Sequence, residues 1–290
     1  MSENLPVIEN VLILAHPNLP EASSEAIQVA DFLREKGIKV DCGPLYDENL
    51  RQKATTGEYQ LLIALGGDGT MLRAGHLGGP CGIPILGINL GRFGFLTEIH
   101  QTQWRTVLPD LLENKYWLEE RMMLRTQHWR DEEKLGEWDV VNEVVVSRGR
   151  IMRPVHLITR LDGRFLTTYV ADGLIASTAT GSTAYALAAG GPILPPELRN
   201  ILIIPVAPHL SVERAIVLAE GSMVSIKVKT DHQAVLSVDG QFPVELDDGD
   251  RVDVCVGEHT LKFIRFQDPG YFYRNLTAHM NRNPITGNHQ

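Results

Sequence analysis

The stretch Tyr59-Gln-Leu-Leu-Ile-Ala-Leu65, followed by Gly66-Gly-Asp-Gly-Thr70, decides the fold of the first part of the chain. Its apolar run is typical of a strand buried on both faces, and residues 71–77 are predicted to form the helix that follows. Asp68 then lies at the carboxyl end of a strand, which is where open α/β sheets bind their ligands. The stretch therefore predicts an α/β fold with a candidate site around Asp68.

The glycines beside Asp68 favour a phosphate-binding loop. Gly66, Gly67 and Gly69 permit positive φ and have no Cβ, so phosphate oxygens can approach the backbone N–H groups. Thr70 is expected to cap the helix, whose N-terminus favours an anion. A carboxylate beside phosphates is unfavourable unless it binds a metal ion or accepts a proton from an attacking hydroxyl. The alternative is a tight turn in which Asp68 only caps the helix.

The flanking segments predict a doubly wound α/β domain. Apolar runs at residues 11–15 and 38–41 indicate strands, and Ile27, Ala30 and Leu33 have helical spacing within a helix at residues 23–36. Residues 84–90 predict another strand, and its glycine-rich end at 91–97 should face the same crevice as Gly66. A polar, mobile loop is expected at 43–57, and an amphipathic helix at 101–113 closes the domain.

After Lys115 the sequence becomes rich in strand patterns, among them one strand at residues 138–147. Asp162-Gly163 and Asp239-Gly240 are Asp-Gly hairpin signals. We therefore expect an N-terminal α/β domain over residues 1–117 and a second, β-rich domain over residues 118–272. A tail at 273–290 is expected to return to the first domain.

The stretch Ser177-Thr-Ala-Thr-Gly-Ser-Thr-Ala-Tyr-Ala-Leu-Ala-Ala-Gly-Gly-Pro192 departs from the strand pattern. Its hydroxyl groups and small side chains would let a flat ligand or another backbone approach closely. The alternative is a tightly packed helix that is capped at Ser182 or Thr183. The residues alone leave both readings open.

Composition narrows the class of protein. The chain has 290 residues, of which 43% are hydrophobic, and a net charge of −9, which argues against nucleic acid or an anionic membrane as the main partner. Three scattered cysteines without a C-x-x-C pair favour neither a disulfide framework nor a zinc site. The first residues lack the pattern of a signal peptide, so a cytoplasmic location is expected.

Five motifs in order give the chain a resemblance to the bacterial NAD kinases, which spans residues 11–272. They are Leu65-Gly-Gly-Asp-Gly-Thr70, Gly87-Ile-Asn-Leu-Gly-Arg-Phe-Gly-Phe-Leu-Thr-Glu98, Asn142-Glu143, Asp172-Gly-Leu-Ile-Ala-Ser-Thr-Ala-Thr-Gly-Ser-Thr-Ala-Tyr185 and Pro205-Val-Ala-Pro-His-Leu-Ser211. The resemblance implies transfer of the terminal phosphoryl group of ATP to the 2′-hydroxyl of the adenosine ribose of NAD, which gives NADP. It also implies a divalent cation, expected to be Mg²⁺ that ATP carries, with few ligands from the protein and no residue assigned to it. The fold that it implies is an α/β domain followed by a β-sandwich-like domain, here residues 118–272, which would bind NAD.

The resemblance assigns roles to individual residues. Asp68 would accept the proton of the ribose hydroxyl, while Arg73 would meet pyrophosphate oxygens. Asn142 would form a hydrogen bond with the adenine, and Glu143 would form hydrogen bonds with the ribose hydroxyls. Gly69, with Gly66 and Gly67, would shape the phosphate-facing loop. The remaining substrate-binding candidates surround the adenine or line the nicotinamide side: Phe95, Arg153, Asp172, Thr183, Ala184, Tyr185, Ala188, Ala207 and Gln241.

Family members complete their sites across subunits, so a homodimer or homotetramer is expected. Two alternatives remain at this stage: a lipid or sugar kinase that shares Gly-Gly-Asp-Gly, and a sensor that binds dinucleotides without catalysis. The residues leave open the phosphoryl donor and the acceptance of NADH beside NAD.

Overall fold

The structure, a computed structural model, describes residues 7–91, 94–209 and 213–280. The motif residues Arg92, Phe93, Leu210 and Ser211 and the last ten residues of the expected tail lie outside this range. The chain divides into two units. Unit 1 comprises the described residues within Met1–Glu120 and Leu261–Gln290, and unit 2 comprises those within Arg121–Thr260.

Strands and helices alternate along the first part of the chain: β1 (Asn10–Ala15), α1 (Pro20–Glu35), β2 (Lys39–Pro44), α2 (Glu48–Ala54), β3 (Leu61–Gly66), α3 (Asp68–Cys81), β4 (Ile85–Asn89), β5 (Ile99–His100) and α4 (Trp104–Leu112). The first four long strands pair in parallel in the order β2-β1-β3-β4, and β5 joins β4. In this register Gly66 at the end of β3 is paired with Asn89 at the end of β4. The two glycine-rich loops therefore leave the same edge of the sheet, as predicted.

Helices cover both faces of this sheet. Leu86 and Ile88 of β4 are buried in one core with residues of α1 and α4. The alternate position Gly87 faces α3, because a Cβ added there would lie 2.6 Å from the sulfur of Met71. Successive strand residues point to opposite faces, so α1 and α3 lie on opposite sides. The doubly wound α/β prediction is confirmed.

Two local predictions in unit 1 are wrong. The loop expected at residues 43–57 contains helix α2, whose N-cap Asp47 accepts a hydrogen bond from the N–H of Leu50 at 3.0 Å. Capping compensates for the polar composition that argued against a helix. In α1, Ala30 and Leu33 are buried as expected, whereas Ile27 is exposed because it lies on the solvent side of the helix.

The rest of the chain consists mainly of strands: β6 (Trp117–Arg130), β7 (Glu133–Val140), β8 (Glu143–Arg148), β9 (Val155–Leu161), β10 (Arg164–Ala171), β11 (Gly173–Ser177), β12 (Asn200–Val206), β13 (Ile216–Ala219), β14 (Val224–Lys229), β15 (Ala234–Val238), β16 (Val244–Leu246) and β17 (Arg251–Arg265). A short helix α5 (Tyr185–Ala188) interrupts them, and α6 (Tyr271–Met280) follows β17. None of the helices in the part of the chain described here is long and apolar enough to cross a membrane.

Unit 2 is built from antiparallel strands. One sheet has the order β13-β12-β11-β8-β15-β16, and in a second set β9 pairs with both β10 and β14. One buried cluster combines side chains of both groups, such as Val144 and Leu236 from the first and Leu157 and Ile226 from the second. The two layers thus enclose a common core, in agreement with the predicted sandwich-like domain.

Both predicted Asp-Gly turns are present. Asp162 and Gly163 join β9 to β10, and Asp239 and Gly240 follow β15, all four with positive φ. This left-handed pair of residues matches the twist of a hairpin. The strand predicted at residues 138–147 is instead two strands, β7 and β8, which are interrupted at residues 141–142.

The boundaries of the units differ from those expected from the sequence. Residues 261–272 belong to unit 1, because the end of β17 pairs with β4 through Phe263 and Ile85. Helix α6 also belongs to unit 1, where the ring centroids of Phe272 and Phe95 are 6.4 Å apart. The assignment of substrates to the two units is not decided by this division and stays a prediction.

Two isoleucines in unit 1 test this description of the core. Ile63 of β3 has no exposed surface, whereas the side chain of Ile27 is 56% exposed. Ile63→Ala should lower the free energy of unfolding by about 2–5 kcal/mol, because it leaves a cavity. The control Ile27→Ala should change it by about 0.5 kcal/mol or less. Urea-induced unfolding of both variants measures the difference, and equal losses would contradict the assignment.

Candidate active site

The carboxylate of Asp68 is held by two backbone N–H groups from the loop that follows β4. Phe95 donates to Oδ2 at 2.7 Å and Leu96 donates to Oδ1 at 3.1 Å. Asp68 is also the first residue of α3, directly after the N-cap Gly67. Asp68 is therefore not the helix cap that the simpler reading supposed; its side chain points instead to the neighbouring glycine-rich loop.

The glycines near Asp68 fall into two groups. A Cβ on Gly66 would lie 2.1 Å from Oγ1 of Thr70, and a Cβ on Gly94 would lie 2.0 Å from Oδ1 of Asp68. These two positions exclude a side chain because the protein itself fills the space. A Cβ on Gly67 or Gly69 would meet nothing within 4 Å, so the backbone there is open to a ligand.

Gly66, Gly67 and Gly69 do not use the positive φ that glycine permits, since none of the three is among the residues with positive φ. The expected capping by Thr70 is also wrong. The helix begins two residues before Thr70, whose N–H donates to the carbonyl of Gly67 and whose buried Oγ1 has no hydrogen-bond partner. Because no side chain caps α3, its first N–H groups keep the positive end of the helix dipole available for an anion.

Arg73 and Phe95 lie in the same unit as Asp68. Arg73 follows Gly69 by four residues, so the two share one face of α3. Its guanidinium carbon lies 5.3 Å from the ring centroid of Tyr46, which restrains the exposed side chain. The ring of Phe95 is half-buried against Phe272, while its N–H holds Asp68.

In unit 2 the predicted Asn142-Glu143 pair is organised by Asp239, a residue that the sequence suggested only as part of a turn. Its carboxylate accepts the N–H groups of Val141 at 2.7 Å, Asn142 at 2.7 Å and Glu143 at 2.9 Å. These bonds replace the pairing that a continuous strand would make, which explains the interruption between β7 and β8. The sequence signal was the left-handed Asp-Gly turn close to Gln241.

Glu143 is a buried acid with an incomplete set of partners. It is 7% exposed, and its Oε2 has no hydrogen-bond partner. Burial, together with the nearby charge of Asp239, raises the pKa of Glu143 to about 7, although the N–H of Tyr185 donates to its carboxylate. An unpaired buried oxygen of this kind favours a ligand that brings a hydroxyl donor.

The hydroxyl-rich segment packs directly against Asn142. Oγ1 of Thr178 donates to the carbonyl of Val141 at 2.7 Å, and Oγ of Ser177 donates to that of Asn142 at 3.1 Å. A Cβ on Gly181 would lie 2.2 Å from the same Asn142 carbonyl oxygen. The small residues thus admit another part of the backbone, which is one of the possibilities considered from the sequence.

The capping expected at Ser182 or Thr183 is wrong, because both residues belong to a 3₁₀ turn, Thr180–Thr183, that precedes α5. Oγ of Ser182 donates to the carbonyl of Ala179 and accepts the N–H of Leu194. Ala184 comes between the turn and α5 and has no side-chain cap. Tyr185 starts α5 with a side chain that is 45% exposed.

The other candidates of unit 2 are dispersed over several elements. Nε of Arg148 lies 2.9 Å from Oδ1 of Asp172. Arg153 is exposed, and its Nη1 lies 3.8 Å from Oδ2 of Asp231. Ala188 ends α5, Ala207 has positive φ after β12, and Gln241 follows the turn at Asp239, where its N–H donates to Val238.

An open cavity of about 420 Å³ lies elsewhere in unit 2 and is lined by residues 230–233 and 245–248. It contains none of the predicted site residues. Among the described residues, no three His, Cys, Asp or Glu side chains are grouped so that they could hold a metal ion.

Glu143 should make stability depend on pH. An acid whose pKa is near 7 when folded and 4.5 when unfolded binds its proton more tightly in the folded state, so its ionisation destabilises the protein as pH rises through this interval. At about 1.4 kcal/mol for each pH unit, the cost above pH 7 is on the order of 3 kcal/mol. Glu143→Gln should therefore raise the melting temperature at pH 8 by several degrees and much less at pH 5.

Thermal unfolding of both proteins between pH 5 and pH 8 measures this effect. Exposed Glu132 of the same unit provides the control, since Glu132→Gln should give the same small change at every pH. A gain for Glu143→Gln that is identical at pH 5 and pH 8 would contradict the assignment.

Comparison with known proteins identifies the family. Residues 46–116 match the ATP-NAD kinase N-terminal domain, and residues 141–266 match the ATP-NAD kinase C-terminal domain. The chain is 38% identical to the NAD kinase of Chloroflexus aggregans over 276 residues, which cover 95% of this chain and 100% of that protein. It is 36% identical to the NAD kinase of Dehalococcoides mccartyi, with 93% and 95% of the two chains covered.

Solved structures show the same fold at lower sequence identity. Yeast NADH kinase complexed with NADH has a TM-score of 0.85 and 23% identity, covering 98% of this chain and 90% of that chain. An NAD kinase from Archaeoglobus fulgidus in complex with ATP has a TM-score of 0.74 and 22% identity, covering 95% and 100%. Both domain matches and the identity along nearly the whole chain lead to one conclusion: this chain belongs to the NAD kinase family.

Proposed function

We propose that this chain transfers the terminal phosphoryl group of ATP to the 2′-hydroxyl of the adenosine ribose of NAD and so produces NADP. The observation that carries the proposal is the Asp68 carboxylate, which lies at the carboxyl end of β3 with both oxygens held by backbone N–H groups. A side chain held from two sides has a defined direction, which general base catalysis requires. The family assignment supplies the substrates.

The proposed step makes one bond and breaks one. The ribose 2′-oxygen attacks the terminal phosphorus, the bond from that phosphorus to the bridging oxygen breaks, and ADP leaves. Asp68 accepts the proton of the hydroxyl. Since phosphoryl transfer depends mainly on positioning and charge stabilisation, Asp68 acts as much by orienting the hydroxyl as by its basicity.

The start of α3 is suited to the phosphates. The missing side chains at Gly67 and Gly69 leave the backbone accessible, and the uncapped helix N-terminus favours negative charge. Gly66 and Thr70 support this loop through their mutual packing. We assign Arg73, on the same helix face as Gly69, to the pyrophosphate oxygens.

The adenosine part of NAD is assigned to unit 2. The unpaired Oε2 of Glu143 supports a bond from a ribose hydroxyl, because such a donor would satisfy a buried acceptor. Asn142 is assigned to the adenine, and the exposed ring of Tyr185 to stacking on it. Thr183 and Ala184 of the same unit are also assigned to the adenine, and the family resemblance assigns Phe95 of unit 1 to this part of the substrate. Assigned to the nicotinamide side are Arg153, Asp172, Ala188, Ala207 and Gln241.

The remaining family expectations are proposals as well. We propose that ATP brings Mg²⁺ through its phosphate oxygens, the ligands that this cation prefers. A homodimer or homotetramer and a cytoplasmic location are likewise proposed from the family. Polyphosphate as donor and NADH as acceptor are alternatives, which the assay below distinguishes when polyphosphate replaces ATP or NADH replaces NAD.

Asp68→Asn tests the base. We expect kcat for NADP formation from NAD and MgATP to fall about 100- to 10,000-fold, because the amide cannot accept the proton, while the Kd for NAD stays close to wild type. The control Asp110→Asn changes an exposed carboxylate of the same unit and should leave kcat unchanged. Near-normal turnover in Asp68→Asn would refute the role of Asp68.

The same assay separates the alternatives. NAD binding by the wild-type protein without phosphorylation by ATP, polyphosphate or other triphosphates would favour a dinucleotide sensor. Phosphorylation of a lipid or sugar in place of NAD would favour the other kinases with Gly-Gly-Asp-Gly.

Two glycines test the close contact with Asp68. Gly94→Ala would bring a Cβ within 2.0 Å of Oδ1 of Asp68 and displace the carboxylate, so kcat should fall about tenfold or more. Gly91→Ala, in the same loop, meets nothing within 4 Å and should change kcat less than about twofold. Steady-state kinetics of both variants measure the contrast, and similar values of kcat would argue against a fixed Asp68 geometry.

A further inference from the structure

Arg265 carries a buried positive charge at the end of β17, in the same unit as Asp68. It is 1% exposed. Its Nε and Nη2 each lie 2.8 Å from Oε2 of Glu119, and the hydroxyl of Tyr271 donates to the same carboxylate at 3.1 Å and 3.2 Å. The guanidinium carbon also lies 4.9 Å from the ring centroid of Phe263. These contacts hold the guanidinium in one orientation.

The remaining arm of Arg265 points to the loop that holds Asp68. Its Nη1 donates to the carbonyl oxygen of Leu96 at 3.0 Å. The N–H of the same Leu96 donates to Oδ1 of Asp68 at 3.1 Å. One residue therefore contacts the buried arginine on one side and the proposed base on the other.

A second contact fixes the same loop two residues further on. The buried carboxylate of Glu98 accepts the N–H groups of Phe266 and Gln267, at 3.1 Å and 2.7 Å. Residues 96–98 are thus held against residues 265–267 at two points. Because Gly94 leaves no free space beside Asp68, a displacement of Leu96 would be passed on to the carboxylate.

We propose that Arg265 is a positioning residue for catalysis: it fixes Leu96, and through Leu96 it fixes the Asp68 carboxylate. This inference rests on the proposed role of Asp68 as the base. Arginine is suited to this task because Nε of its planar fork donates to Glu119 while Nη1 of the same fork donates to Leu96. Lysine, with its single nitrogen on a flexible chain, cannot reproduce this arrangement.

The test compares variants that treat the buried charge differently. Removal of Arg265 alone would leave Glu119 buried without its cation and endanger folding. The double variant Arg265→Met/Glu119→Met removes both charges together and fills a similar volume. We expect it to lower kcat for NADP formation about 10- to 100-fold, with KM for NAD and for ATP within about twofold of wild type.

Two further variants refine the comparison. Arg265→Lys keeps a positive charge beside Glu119, so this variant should fold. Its kcat should nevertheless be reduced, because lysine cannot hold Glu119 and Leu96 at the same time. Tyr271→Phe removes the hydrogen bond from the tyrosine hydroxyl to Glu119 and leaves the hydrogen bond between Arg265 and Leu96. Its kcat should therefore remain within about twofold of wild type. Circular dichroism and thermal unfolding monitor the fold of every variant.

Combination with Asp68→Asn separates positioning from a general structural role. If Arg265 acts through Asp68, the double charge replacement should cause no further loss of kcat in the Asp68→Asn background, because groups that act as a unit are not additive. A further 10- to 100-fold loss there, of about the size seen in the wild-type background, would overturn the inference, as would wild-type kcat in Arg265→Met/Glu119→Met. Failure of the proposed function is distinct, since it would appear as normal turnover in Asp68→Asn alone.

Discussion

Backbone N–H groups that are packed against the protein must find an acceptor, and in both units of this chain a carboxylate supplies it. Asp68 accepts the N–H groups of Phe95 and Leu96, and Asp239 accepts three successive N–H groups from residues 141–143. Each hydrogen bond has two structural effects. It fixes the path of the loop, and it fixes the orientation of the carboxylate or of the residues next to it in the proposed site.

The two acids serve this constraint in different ways. Asp68 is itself the proposed reacting group, so the loop that it organises also orients it. Asp239 instead orients Asn142 and Glu143, and its charge contributes to the raised pKa of Glu143. The burial and the neighbouring charge that raise the pKa of Glu143, the residue proposed to bind a ribose hydroxyl, thus destabilise the folded protein at neutral pH. Such a cost is common where a binding site requires a buried, incompletely paired group.

Arg265 connects the loop that holds the proposed base to a buried cluster further from the site. Its ion pair with Glu119 would by itself be weak support for stability, since burial of two charges costs about as much as their attraction returns. The bond to Leu96 gives this buried pair a second role, because it links a rigid cluster to the loop around Asp68. Residues from the end of β17 thereby act on a site whose motif lies near the start of the chain.

Local sequence patterns were sufficient to predict the alternation of strands and helices in unit 1, the strand-rich unit 2, the two Asp-Gly turns and the family motifs. These features depend on short-range patterns: apolar periodicity, turn residues and the spacing of glycines. The same patterns missed α2, which a side-chain cap stabilises, and the interruption at residues 141–142, where Asp239 accepts the backbone N–H groups. They also placed the start of α3 after Thr70, although the helix begins at Asp68.

The hydrogen-bond partners of the functional acids could not be predicted in this way, because they depend on how distant segments pack. Asp68 accepts hydrogen bonds from N–H groups that are 27 and 28 residues away in the sequence, and Asp239 accepts them from groups 96 to 98 residues away. Arg265 donates to Leu96 across a separation of 169 residues. A hydrogen bond over such a separation depends on strand register and on the packing of distant segments, which no local pattern contains. For the same reason, the sequence cannot distinguish Gly94 from Gly67. The space beside Gly94 is occupied by the Asp68 carboxylate, whereas the space beside Gly67 is open to a ligand.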